Sequence, residues 1–193
     1  MTKSRIFFGT NNPHKLREIQ EIIGSKYAVV SFKDLEDPID VEETEPTLEG
    51  NAALKAKAFF EHTGMACFAD DTGLEVASLD GRPGVYTARY AGPQCSAEDN
   101  INKMLGELEG ITARQAQFRT VIAYYNGEEM RYFEGVAKGN ILEARQGEGG
   151  FGYDPIFQPE GYTQSFAEMA PDEKNAISHR GQAVRAFADF LME

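Results

Sequence analysis

Two short runs bring together side chains that do chemistry rather than fill structure: Ser178-His179-Arg180-Gly181 and Phe151-Gly152-Tyr153-Asp154-Pro155. The first opens an amphipathic helical pattern, so a capping hydroxyl, an imidazole and a guanidinium are expected around one helix N-terminus. That end favours anions and carbonyl oxygens, because its first N–H groups lack partners within the helix. Thr10, Asn12 and Lys15 follow a short apolar run near the start of the chain. A hydroxyl, an amide and an ammonium at a strand-to-helix junction can cradle a phosphate, since ligands of open α/β sheets bind beyond the strand carboxyl ends. An ordinary Asn-Pro turn beside a surface lysine would use the same residues.

Carboxylates form the second group. Ala69-Asp70-Asp71-Thr72-Gly73 follows an apolar run, and two adjacent carboxylates at a strand end repel unless a cation or proton sits nearby. Magnesium takes one or two carboxylates and completes its octahedron with water and substrate phosphates. Glu42-Glu43, in an acidic stretch, is a second carboxylate source; a turn and a solvated charge run are the plainer readings of the two pairs. Lys55 falls within an apolar helical stripe of Leu48, Ala52 and Phe59, with Asn51 beside it. Such a lysine either snorkels to water or serves a buried cleft that wants a cation.

The elements that must position these groups read as α/β. Arg5–Gly9 is a short apolar strand followed by the turn Thr10-Asn11-Asn12-Pro13. A helix with Leu16, Ile19, Ile22 and Ile23 on one stripe ends near Gly24. Tyr27–Phe32 is a strand, and Asp34–Glu49, with Pro38 and Pro46, is a surface loop. A helix runs from Thr47 or Leu48 to about His62, and Met65–Ala69 is a third strand ending at Asp70. Ser96 caps a further helix with Asp99 at the fourth position. Gln115–Tyr125 and Glu128–Lys138 are strands joined by Asn126-Gly127, a hairpin signal. The last helix runs from Ser178 to about Met192. Gly147, Gly149 and Gly152 satisfy G-x-G-x-x-G, but the following Tyr153–Phe157 reads as extended, so no helix opens there to meet a pyrophosphate.

Length and charge narrow the classes. The 193 residues suit one domain, residues 1–193, with no separable linker. A balance of 19 basic against 31 acidic residues gives −12, which argues against nucleic acid as a partner. A single nucleotide stays possible, because a metal ion and a few lysines neutralise a phosphate tail locally. No apolar run is long enough to span a membrane, and no leader pattern opens the chain. Cys67 and Cys95 form no disulfide or metal framework, which fits a cytoplasmic location.

Taken in order, these residues resemble the inosine triphosphate pyrophosphatase family, almost end to end. The matching runs are Thr10, Asn12 and Lys15; Glu42-Glu43-Thr44; Glu49, Asn51, Ala52, Lys55 and Ala56; Ala69–Leu74; Gly81–Tyr90; Gly147–Pro155; and Glu173–Arg180. Each is a modest signal, but their order and spacing are specific, and the forms are those of the bacterial branch. The resemblance implies an elongated two-lobed α/β fold with a long curved mixed sheet, flanking helices and a central substrate cleft. It implies hydrolysis of ITP, XTP and dITP to the monophosphate and pyrophosphate, dependence on Mg2+, and a homodimer. It puts the nucleotide on Thr10, Asn11, Asn12, Pro13, His14 and Lys15, and on Thr72. It also puts it on Phe151, Gly152, Tyr153, Asp154, Lys174, His179 and Arg180, with Phe151 as the wall for the base. Glu42 and Asp71 match metal positions, and Asp71 matches the proposed general base; whether it is base, ligand or both stays open. The chain departs from the family pattern at Glu45-Pro46 and at Leu48, where Phe is usual, which leaves the loop around Glu42 open. A pyrophosphatase for modified pyrimidine or methylated-guanine nucleotides, and a nucleotide-binding module without catalysis, are the rival readings.

Overall fold

The computed structural model describes residues 3–10 and 13–193. In chain order its elements are β1 (Ser4–Phe8), α1 (Pro13–Ile23), β2 (Tyr27–Ser31), α2 (Leu48–Thr63), β3 (Cys67–Val76) and β4 (Pro83–Gly84). They continue with α3 (Ala97–Glu107), β5 (Gln115–Tyr125), β6 (Met130–Ile141), β7 (Phe157–Pro159), α4 (Pro171–Ile177) and α5 (His179–Met192). The seven strands form one sheet in the order β2-β1-β3-β5-β6-β7, with β4 paired to β3. β1 runs parallel to both β2 and β3, whereas β3–β4 and β6–β7 are antiparallel, so the sheet is mixed. The expected α/β class is borne out.

Two compact units divide the chain. One comprises Met1–Asp71, Val121–Glu134 and Ala183–Glu193; the other comprises Thr72–Thr120 and Gly135–Gln182. In the first unit Ile6 and Phe8 of β1 pack with Ile19 and Ile23 of α1, and with Val184, Phe187 and Leu191 of α5. Successive strand residues point to opposite faces. Phe7 therefore meets α2 instead, its ring edge-on to Phe59 at 5.5 Å and to Phe32 at 5.4 Å. Gly9 permits this approach, since a Cβ there would stand 1.9 Å from the Phe59 ring. Thr47 caps α2 by accepting from the Gly50 N–H at 3.0 Å, and Gly64 in the left-handed region ends it. In the second unit Leu74, Val76, Ile101, Met104, Phe118, Ile141, Phe157 and Phe166 form the core.

Four local expectations change. β3 does not stop at Ala69 but continues through Asp70, Asp71, Thr72 and Gly73 to Val76. Asp and Gly disfavour strands, yet tertiary partners supply what local propensity lacks: lysines for the carboxylates, described below, and the β4 pairing at Leu74↔Gly84. β5 and β6 are joined by residues 126–129 rather than by a two-residue turn, because the Asn126 side chain accepts from the Glu128 and Glu129 N–H groups at 3.0 and 2.8 Å. A short helix, α4, precedes Ser178 where none was expected. After the glycine-rich run, Asp154–Ile156 forms a 3-10 turn before β7, not a fully extended segment, though still not an α-helix.

Candidate functional site

In the first unit β1 ends by turning at Thr10, whose N–H bonds the Phe8 carbonyl at 2.8 Å and whose side chain is buried. Pro13 begins α1, where its missing N–H costs nothing. Lys15, in the same first turn, donates from Nζ to Asp70 Oδ2 at 2.5 Å. It is thus no ordinary surface lysine. Asn11, Asn12 and the His14 side chain lie outside the described residues.

Asp71 points to the opposite face of β3 from Asp70 and is buried. Its nearest lysine is Lys55 of α2, 4.0 Å from Oδ1. Lys55 does not snorkel: only 14% of its side chain is exposed, and Nζ donates to Glu43 Oε1 at 2.6 Å and to the Asp70 carbonyl at 2.8 Å. The adjacent aspartates therefore avoid repulsion by facing apart, each toward its own ammonium. Glu43 is the member of the acidic pair that meets Lys55, whereas Glu42 is exposed. The loop end is anchored by Asn51, fully buried in α2, whose Oδ1 accepts from the Glu45 N–H at 2.9 Å.

In the second unit Phe151 stands 57% exposed, an apolar ring presented to solvent. Lys174 Nζ lies 4.6 Å and Arg180 Cζ 5.2 Å from its centroid. Asp154, buried, fixes this arrangement: its Oδ2 accepts from the Phe151 N–H at 2.7 Å and from the Lys174 ammonium. Gly150 leaves room for that carboxylate, since a Cβ there would lie 2.1 Å from Asp154 Oδ2. Ser178 caps α5 by accepting from the Gly181 N–H at 3.1 Å. His179 is buried with its ring stacked on Phe118 at 4.7 Å, and Arg180 is half-buried. Gly152 takes a positive φ of 59° between Phe151 and Tyr153.

Tyr153 turns inward. Its ring is buried in the core and its hydroxyl donates to the Thr87 carbonyl at 2.8 Å. Burial pushes the phenol pKa well up, so it stays a donor. Asn100 of α3 donates to the neighbouring Ala88 carbonyl at 2.9 Å and accepts from the Ala91 N–H at 2.7 Å. Tyr153 thereby ties the turn that carries Phe151 to the segment around Thr87. Thr72 shares a hydroxyl–hydroxyl bond of 2.8 Å with Thr120 of β5. Sequence reasoning overlooked Thr120, Asn100 and the Thr87 carbonyl. Only the polar interruption in the run Phe118–Ala123 hinted at the first.

The chain and its fold have close counterparts. The family model for the Ham1 family matches residues 6–190. A Flavobacterium psychrophilum protein named dITP/XTP pyrophosphatase is 49% identical over 187 residues, covering 97% of this chain and 98% of the relative. A Porphyromonas gingivalis protein of the same name is 49% identical over 189 residues, covering 97% of each. The solved structure of the Staphylococcus aureus Ham1 protein superposes with a TM-score of 0.93 at 39% identity, covering 98% of both chains. The Coxiella burnetii HAM1 structure gives the same TM-score at 37% identity and the same coverage. The resemblance carried by the seven motif runs is thus matched along nearly the whole chain and in its fold, and the chain belongs to the Ham1 family.

Proposed function

We propose that this chain hydrolyses non-standard purine nucleoside triphosphates, dITP, ITP and XTP, between the α and β phosphates, giving the nucleoside monophosphate and pyrophosphate. The observation that carries this is its near full-length likeness to two proteins named dITP/XTP pyrophosphatase. The side chains support it. Lys15 and Lys55 in the first unit are cations already arranged against carboxylates, suited to phosphate oxygens. Phe151, Lys174 and Arg180 in the second unit combine a flat apolar face with donors, suited to a 6-oxo purine.

Magnesium is the proposed cofactor, with Asp71 and Glu42 as its holders. Among the described residues no cluster of three metal-ligating side chains forms, and magnesium asks for fewer: one or two carboxylates beside phosphates and water. Asp71 and Glu43, each meeting Lys55, offer oxygen atoms alone, which fits a hard cation. When bound, the ion supplies positive charge across the phosphate oxygens. Asp71 orients the attacking water and accepts its proton, worth about 10²–10⁴-fold for a well-placed base. Lys15 compensates charge on the departing pyrophosphate, and Thr72 donates to a phosphate oxygen. A homodimer in the cytoplasm completes the reading; no helix among the described residues is long and apolar enough to cross a membrane.

The test is product analysis. ITP, XTP, dITP, ATP, GTP and pyrimidine triphosphates are each incubated with the protein and magnesium and separated chromatographically. Monophosphate plus pyrophosphate from the first three is expected, with no orthophosphate. Nucleoside diphosphate as the main product would remove the assignment.

A further inference from the structure

Asn51 is an amide buried in α2, where the other buried residues, Leu48, Ala52, Ala56 and Phe59, are apolar. Packing alone would favour an apolar side chain there, since a buried amide costs free energy unless it is bonded. Its oxygen accepts from the Glu45 N–H at 2.9 Å. Two further side chains of α2 hold the same acidic loop: Lys55 Nζ donates to Glu43 Oε1 at 2.6 Å, and His62 Nε2 to the Asp37 carbonyl at 2.6 Å. Residues 35–47 lie in no helix or strand. Asn51, Lys55 and His62 are spaced by about one and two helical turns, so they share one side of α2. They meet Glu45, Glu43 and Asp37 in that order, and the loop therefore runs back along the helix. The spacings decide which tie sets its register. From Asn51 to Lys55 the helix rises about 6 Å, and from Glu45 to Glu43 an extended chain spans about 7 Å, so these two ties match. From Lys55 to His62 the rise is about 10 Å, whereas the chain from Glu43 to Asp37 can reach about 20 Å, which leaves slack. A lysine on its flexible stem can follow the chain through a slip; the short, buried amide of Asn51 cannot.

We infer that Asn51 is a positioning residue: by holding the Glu45 N–H it fixes the register of the acidic loop on α2, so that Glu43 turns to Lys55 and Glu42 is presented outward to a divalent cation. Side chains of an extended chain alternate, and half-buried Glu43 does lie between exposed Glu42 and Thr44. A slip of one residue would turn Glu42 or Thr44 to Lys55 instead. The inference rests on the reading above that Glu42 helps to hold magnesium. Asn51 itself touches neither ion nor substrate.

Hydrogen exchange of the wild type reads the tie directly: the Glu45 amide, although in a loop, should exchange about 10-fold or more slowly than an unbonded amide. Asn51→Leu, without the acceptor, should lose that protection while α2 keeps its own. It should also raise the Kd for Mn2+, followed by electron paramagnetic resonance without nucleotide, about 10-fold, the cost of losing a group that orients a metal-holding carboxylate. Asn51→Leu/Glu42→Gln should bind Mn2+ no more weakly than Glu42→Gln alone, because Asn51 acts through Glu42. Should the leucine variant not fold, Asn51→Ala, which also lacks the acceptor, carries the same comparison. Metal binding separates this proposal from the functional reading. A wild type that binds Mn2+ more tightly than Asn51→Leu yet turns over no ITP refutes the activity and sustains the positioning role. An unprotected Glu45 amide, a Kd for Mn2+ unchanged in the variant, an additive double variant, or a wild type that binds no Mn2+ overturns it.

Discussion

Lys15 and Asp70, 55 residues apart in sequence, meet at 2.5 Å, while the next residue along the strand, Asp71, faces Lys55 at 4.0 Å on the other side. Because β3 alternates its faces, one Asp-Asp step sends two carboxylates to two different cations. Lys55 holds Glu43 and the Asp70 carbonyl as well.

Removing Lys55 should therefore cost both stability and function. Lys55→Met leaves Glu43 and Asp71 without their shared cation. Since both partners retain some solvent, the loss should be about 1–3 kcal/mol rather than that of a fully buried pair. Urea unfolding measures it. Glu43→Gln, which leaves the lysine its carbonyl partner, should cost less than Lys55→Met, and the opposite order would show that Lys55 is not the organising charge.

Asp71 and Glu42 should separate by phenotype. Asp71→Asn is expected to lower turnover about 10²-fold or more with the fold intact. Glu42→Gln, changing an exposed residue, should leave stability alone and raise the magnesium concentration needed for half-maximal rate. Near-normal turnover of Asp71→Asn at saturating magnesium would identify another carboxylate as the base.

Base selectivity is expected to depend on Arg180. A guanidinium only donates, so a 6-oxo acceptor suits it, and an adenine amino group facing it would leave donors opposed, at about 1–3 kcal/mol per unmade bond. Arg180→Ala should lower kcat/KM for ITP far more than for ATP, flattening the ratio. A ratio equal to wild type would mean that Arg180 does not read the base.

Tyr153→Phe isolates one hydrogen bond, that to the Thr87 carbonyl. Loss of a single buried donor should destabilise by about 1 kcal/mol. KM for ITP should rise with kcat unchanged, because the turn carrying Phe151 loses its anchor. A fall in kcat with unchanged KM would instead implicate the phenol in chemistry.

The two cysteines should label in sequence. Burial pushes the Cys67 thiol up to about 12, and its Sγ donates to the Ala56 carbonyl at 2.8 Å, whereas Cys95 is exposed. At pH 8 the native protein should take up one equivalent of a thiol reagent and two after denaturation. The same shift fixes a sign for stability. The folded state holds this proton more tightly than the unfolded chain, so the contribution is complete below pH 9 and is lost as pH rises from about 9 toward 12. Unfolding midpoints measured across that range check it, Cys67→Ala serving as the comparison.

Local signals were sufficient where a residue's role depends on its sequence neighbours. Apolar periodicity gave α1, α2 and α5, hydroxyl caps gave Ser96 and Ser178, and motif order gave the family. The strand through Asp70–Gly73 was not legible, because its local propensity is poor and the lysines that neutralise it lie 55 and 16 residues away. Nor were the inward turn of Tyr153, the choice of Glu43 over Glu42 as partner of Lys55, or the Thr72–Thr120 bond. The sequence by itself determined which chemical groups the chain possesses and which elements carry them. Tertiary structure alone decided which charge neutralises which and which hydroxyls meet, because those depend on distances between segments that no local pattern encodes.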